Sequence, residues 1–462
     1  MAKSPVRGML DVEALKQLVK DEEIETILTV FPDIYGRLMG KRITGDFFVN
    51  DVLGKGVHAC DYLLACDMEM DPVPGYSFTS WASGYGDFRL IPDLSTLRIA
   101  SWLEKTAIVL CDLLNEEEDI PVEVAPRNIL KKQVEIARSL GYTPMGASEL
   151  ELYVFTDSYE TARHKRYQDL EPIGGYIEDY HIFQGTKEEF VIGAIRKHLE
   201  RSGIPVEFSK GEWGPGQQEI NLRYTDFLEM CDRHTLYKHL AKEVAWQNNV
   251  AITFMAKWDE RYAGSSMHLH ASLWDANGKP LFCGEETFGP VHSSPLFRWF
   301  LGGWMTHIRE IFPFYAPYPT SYKRYVAGSF APTGIAWSYD NRTAGFRILG
   351  HGPSLRLECR APGADANPYL AFAVTLAAGL DGIKNQIEPP PMFEGDVYEA
   401  RDLPHVPFSL NEAIHQLDQS QWARSVLGAD VVEHYLHFFR TEQRKFDEVV
   451  TSWERERYFE RA

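Results

Sequence analysis

The chain is poor in cysteine. Six thiols (Cys60, Cys66, Cys111, Cys231, Cys283 and Cys359) are spread over 462 residues, and none forms a C-x-x-C pair. That sparseness excludes a disulfide scaffold and predicts reduced thiols. Positive charge is also short: 47 Lys and Arg stand against 66 Asp and Glu, a net charge of −19. Such a surface repels nucleic acid and anionic lipid, so neither is expected as a partner. The N-terminal MAKSPVRGMLDVEALKQL has no apolar core of a secretory signal. The longest apolar run, in NPYLAFAVTLAAGLDG, is too short to span a bilayer and reads as a buried helix. A soluble, cytoplasmic protein is expected. No G-x-x-x-x-G-K-[ST] occurs, and no G-x-G-x-x-G opens a helix, which excludes those two phosphate loops. Internal repeats and low-complexity segments are missing as well.

What is present is an ordinary globular mixture, 44% apolar and 24% charged, at a length that suits more than one domain. Residues 1–113 read as a small, mostly β unit with one helix near residues 11–20. NEEEDIPVEVAP follows as a charged, proline-punctuated connector. RNILKKQVEIARSLG then gives an amphipathic helix closed by Gly141. Beyond it, strands such as SELELYVF, QQEINLRY, AITFMAKW, MHLHASLW and SLRLECRA alternate with helices such as EEFVIGAIRKHLERSG. The C-terminal stretch reads as charged helices.

Strand residues two apart share a face. Glu149 and Glu151 therefore lie opposite Leu150 and Leu152. His268, His270 and Ser272 share a face, as do Glu219, Asn221 and Arg223, and Arg356, Glu358 and Arg360. Lys323 and Arg324, at the head of KRYVAGSFAPTGIAW, read as a fifth strand end leading into a gating loop. Any one of these strands alone is an ordinary sheet with one wet face. Together, carboxylates with imidazole suit Mg²⁺ or Mn²⁺, and the nearby arginines suit phosphate or carboxylate. Hard metals, acids and arginines in one funnel point to phosphoryl transfer from a nucleotide.

The ordered segments GASELELYVF, KGEWGPGQQEINL, TFMAK, GSSMHLHASLW, YKRYVAGSFAP, NRTAGFR and LRLECRAPGADANPYL resemble the glutamine synthetase superfamily, in its bacterial dodecameric branch. The resemblance implies an α+β fold. A small N-terminal β-grasp domain (1–113) would pack with a catalytic domain (114–462) built on a curved antiparallel sheet. It implies a homo-oligomer, a dodecamer of two stacked hexamers with active sites at subunit interfaces. Carried over residue by residue, it makes Glu151, Glu212 and Glu219 ligands of a first Mg²⁺ or Mn²⁺. Glu149, His268 and Glu358 become ligands of a second, and His270, Ser272 and Arg356 neighbours of ATP. Arg342 and Arg347 would stabilise the phosphoryl group in transfer, and Arg324, Arg360 and the Gly264 backbone would hold L-glutamate. The implied reaction activates the γ-carboxylate as γ-glutamyl phosphate, which a nitrogen nucleophile converts to an amide.

The departures from that pattern gather at the nitrogen. Ammonia-using members carry K-R-L-V-P-G-Y-E-A-P, and its Glu is replaced here by Phe330. Pro74 stands where those members have the Asp of F-D-G-S-S, with Asp71 close by as a substitute. Ala263 and Ser266 alter the glutamate loop. A small ammonium ion needs anions to bind it and a base to take its proton. A phenyl ring offers apolar area and a π-face instead. The expected nucleophile is thus a primary amine (a polyamine, ethanolamine, an alkylamine or an aniline), entering past Phe330 and past Glu69, Asp71, Pro74, Tyr76, Trp81 and Tyr85. Tyr398, near the position of a modified tyrosine in some members, reads as an unmodified surface side chain.

Overall fold

In the computed structural model, residues 6–116 and 119–462 are described. The first five residues, and Glu117 and Glu118 of the expected connector, lie outside them.

Two sheets carry the chain. The first takes β1 (Thr26–Pro32), β2 (Leu38–Thr44), β3 (Val57–Cys60), β4 (Asp87–Pro92), β5 (Arg98–Ile99) and β6 (Thr106–Asn115). Their order is β2-β1-β6-β4-β3, with β5 on β6, and β1 and β6 run parallel. β1 is buried nearly throughout, because Ile27 packs into one core and Leu28 and Val30, on the other face, pack into a second. The helix Val12–Lys20, capped by Asp11, covers one face with Leu15 and Val19.

The second sheet is built from β7 (Thr143–Phe155), β8 (Val206–Gly211), β9 (Gln217–Leu222), β10 (Thr225–Asp226), β11 (Ala251–Thr253) and β12 (Met267–Trp274). A short hairpin, β13 (Glu286–Phe288) and β14 (Val291–Ser293), stands apart. β15 (Trp337–Tyr339), β16 (Phe346–Leu349) and β17 (Arg356–Cys359) complete the sheet, in the order β15-β16-β17-β12-β7-β9-β8. All its pairs are antiparallel except β15 with β16. Leu150, Leu152, Met267, Leu269 and Leu357 are fully buried on one face, as the alternation requires. Behind them the helix Pro368–Asn385 is buried along almost its whole length. It meets the helix Pro295–His307 at Gly303 and Gly382, where a Cβ on Gly303 would lie 2.3 Å from the Ala378 carbonyl oxygen.

Two sequence expectations are corrected here. Lys323 and Arg324 end a 3₁₀ turn, Pro319–Arg324, whose proline start sets the turn, so they are not on a strand. Arg223 lies one residue past the end of β9 and is exposed. Among the described residues, no helix is long and apolar enough to cross a membrane, and all six cysteines are free thiols.

Candidate active site

The polar face of the second sheet opens into a cavity of about 560 Å³. Strand register brings its acids together. Glu149 on β7 pairs with His268 on β12 and Asn221 on β9, and Glu151 pairs with Glu219. Glu358 on β17 pairs with His270 on one side and Arg347 on the other. Directly opposed residues hold their Cβ atoms about 5 Å apart, so these side chains must meet.

Two groups result. The ligand atoms of Glu151, Glu212 and Glu219 lie within 4.8 Å of one another, and so do those of Glu149, His270 and Glu358. His268 belongs beside the second group, with Nδ1 3.0 Å from Glu149 and 3.7 Å from Glu358. His270, expected at ATP, also reaches Glu149, with Nε2 at 2.9 Å. In the first group, burial and then Glu212 push Glu151 up to about 8. Burial and the neighbouring Glu149 likewise raise Glu219. Crowded buried acids of this kind fit a divalent cation, which removes the repulsion that holds their protons on. In the second group burial alone would raise Glu149, but His270 and His268 hold it well below the carboxylate range. His268 itself is brought down to about 4 by burial and by Arg360, so it is the neutral imidazole a metal requires.

Glu151 is fixed by the loop of residues 263–266. The Ser266 backbone N–H donates to one carboxylate oxygen at 2.7 Å and its hydroxyl to the other at 2.8 Å. Ser266, a departure from the family pattern, thus orients a central acid. Gly264 lines the cavity beside Arg324, where a Cβ would fall 2.6 Å from the arginine Cγ.

Arg324 is buried and donates to the carbonyls of Ala361 and Arg360, both at 2.9 Å. Arg360 donates to Glu358 at 2.6 Å, while its buried Nε has no partner. Arg360 also lines the cavity, and a guanidinium at a cavity wall suits a ligand carboxylate. Arg347 donates to Glu358 at 3.0 Å and also contacts Asp340, and Arg342 is exposed at the rim.

A second cavity, about 580 Å³, shares Glu149, Phe208 and Asn221 with the first. His270, Ser272 and Arg356 line it together with the rings of Tyr224 and Trp274. Aromatic walls beside an acid–histidine cluster suit a nucleotide base joined to its phosphates.

Phe330 lines the first cavity from the loop after Arg324, at φ +59°. Its ring meets Trp213 edge-to-face at 5.5 Å, and its carbonyl accepts from Arg360 at 3.3 Å. Tyr398 is corrected from a surface side chain to a half-buried one. Its hydroxyl donates to the Ala331 carbonyl at 3.0 Å and so ties down the Phe330 loop.

Asp71, Pro74 and Tyr85 line neither cavity of their own chain. Their segment packs instead on the C-terminal helix Ala429–Asp447. The Pro74 carbonyl lies 2.9 Å from His437 Nε2, and the Tyr76 ring packs tilted against His434 at 4.6 Å and edge-on against His437 at 4.4 Å. Tyr85 meets Tyr62 and Trp81. Sequence reading missed Asp179, Tyr180, Phe208, Lys210 and Trp213 as cavity residues. Trp213 sits inside the quoted KGEWGPGQQEINL, but Asp179 and Tyr180 lie in no motif.

Two acid clusters, two histidines and converging arginines on the open face of an antiparallel sheet suit metal-assisted phosphoryl transfer. The chain belongs to the glutamine synthetase family of ligases: residues 123–458 match its catalytic-domain model. It is 45% identical to the gamma-glutamylethanolamide synthetase of Streptomyces coelicolor, over 98% of this chain and 96% of that one. It is 36% identical to a glutamate–isopropylamine ligase of a Pseudomonas species, over 96% and 97%. The solved structure of apo GmaS superposes with a TM-score of 0.83 at 27% identity, covering 96% of this chain and 98% of that one.

Proposed function

We propose that this enzyme ligates the γ-carboxylate of L-glutamate to a primary amine at the expense of ATP, giving a γ-glutamylamide, ADP and phosphate. The observation that carries this reading is the Phe330 ring set against Trp213 in the cavity of acids and arginines. Ammonia-using relatives place a carboxylate there. Two relatives named for ethanolamide synthesis and isopropylamine ligation support it.

In this reading Arg324 and Arg360 hold the glutamate carboxylate, and Gly264 leaves room for its ammonium end. Glu151, Glu212 and Glu219 hold one Mg²⁺ or Mn²⁺, and Glu149, His268, His270 and Glu358 a second. Bound there, the ions neutralise the phosphates of ATP and the charge that develops in transfer. Arg342 and Arg347 meet the transferring phosphoryl group from the opposite side. The γ-carboxylate attacks the terminal phosphate and becomes γ-glutamyl phosphate. The ammonium loses a proton to solvent, and the free amine nitrogen then attacks the acyl carbon. The acyl carbon–oxygen bond to phosphate breaks, and the amide nitrogen sheds its extra proton as phosphate leaves. Held in place, the two reactants need no further entropy loss to react.

We assign residues 1–113 to a β-grasp domain and 114–462 to the catalytic domain of a cytoplasmic dodecamer. Asp71, Pro74 and Tyr85, turned away from their own cavity, would then serve a neighbouring subunit's site. Phosphate release with a panel of amines against ammonium tests the activity. Turnover with amines and little with ammonium is expected; turnover with ammonium alone overturns the reading.

A further inference from the structure

We infer that Asp179 anchors the ammonium group of the incoming amine and that the Trp213–Phe330 edge selects its substituent. This rests on the amine reading above and names the class of amine: a primary monoamine with a short apolar or hydroxyl-bearing chain.

Five carboxylates line the first cavity: Glu149, Glu151, Asp179, Glu212 and Glu219. Four of them belong to the two acid clusters, and Asp179 alone does not. A cationic nucleophile needs an anion outside the metal clusters, and among the described lining residues Asp179 is that carboxylate, its own cation Lys210 lying no closer than 3.9 Å.

The backbone fixes Asp179 beside the selecting ring. Glu178 N–H donates to the Glu212 carbonyl and Tyr180 N–H to the Gly211 carbonyl, both at 3.3 Å. The segment is thereby stitched to the one bearing Glu212 and Trp213. Tyr180 is held at φ +56°, a conformation a bulky residue adopts only when its surroundings impose it.

The wall already receives a primary ammonium. Lys210 Nζ lies 3.9 Å from Asp179 and 4.6 Å from the centre of the Tyr180 ring, and it contacts Glu212. Carboxylate plus π-face is the recognition chemistry of R–NH₃⁺. Phe330 and Trp213 remain 41% and 47% exposed, although each ring has a polar cavity at its edge. Exposed aromatic edges beside the one lining carboxylate outside the acid clusters suit one charge with a small carbon substituent. A diamine brings a second charge, for which these residues supply no second anion.

The test is steady-state kinetics with ethanolamine, isopropylamine, 1,4-diaminobutane and ammonium, at saturating ATP, Mg²⁺ and glutamate. Asp179→Asn should raise the amine KM about 30-fold, with kcat and the KM values for glutamate and ATP within about twofold. Asp179→Glu should recover most of that loss. Trp213→Ala should change the preference between isopropylamine and ethanolamine about tenfold, and its exposed ring makes it independent of how Asp179→Asn folds. An unchanged amine KM in Asp179→Asn, an unchanged preference in Trp213→Ala, or a wild-type preference for the diamine overturns the inference while leaving amine ligation standing. Wild-type turnover with ammonium alone overturns both.

Discussion

At the scale of single residues, Phe330 carries the proposal that this enzyme uses an amine rather than ammonia. It occupies a left-handed backbone position with its ring in the cavity, beside Arg360 and Trp213. Phe330→Glu removes apolar surface and adds an anion at the same place. We predict at least tenfold lower turnover of isopropylamine and a measurable gain with ammonium, read as phosphate release. The identity of this residue was legible in the sequence. Its contact with Trp213 was not, because the two lie far apart in the chain and meet only through a loop.

At the scale of elements, strand register builds the site. Sliding β12 by one residue against β7 would turn His268 and His270 into the core and expose Met267 and Leu269. The buried helix behind the sheet secures this arrangement through its contact with Pro295–His307. Gly303→Ala would force a Cβ to within 2.3 Å of the Ala378 carbonyl. We expect a loss of about 3 kcal/mol, visible as a lowered urea midpoint and melting temperature. The contact between the segment carrying Pro74 and Tyr76 and the helix Ala429–Asp447 depends on pH. Burial, aided by His437, brings His434 down to about 3 from an ordinary 6.5. The folded state therefore keeps this imidazole neutral, and its contribution is complete above the unfolded value. Below pH 6.5 the unfolded chain takes up the proton first. Stability then falls by up to about 1.4 kcal/mol per pH unit as the pH drops towards the folded value. Urea midpoints at pH 7 and pH 5 should diverge, and His434→Phe should narrow the gap.

At the scale of the molecule, burial and neighbouring carboxylates raise Glu151 and Glu219 in the first cluster, a cost that a bound divalent cation would relieve. Mg²⁺ or Mn²⁺ at about one hundred times its dissociation constant should add about 2.7 kcal/mol. We expect a clear rise in melting temperature, abolished by the double replacement Glu151→Gln, Glu219→Gln. A melting temperature indifferent to divalent cations would contradict the metal assignment.

The sequence by itself determined which side chains share a strand face, because a period of two residues is a local property of extended backbone. It also carried the family motifs, and with them the acids, histidines and arginines of the candidate site. The tertiary structure decided which faces meet. Register placed Glu151 against Glu219 and Glu358 between His270 and Arg347. It decided that Asp71, Pro74 and Tyr85 leave their own cavity, and that the segments bearing Asp179, Trp213 and Phe330 converge on it. Those relations join residues remote in the chain. Loop closure and long-range packing fix them, and no local periodicity records them.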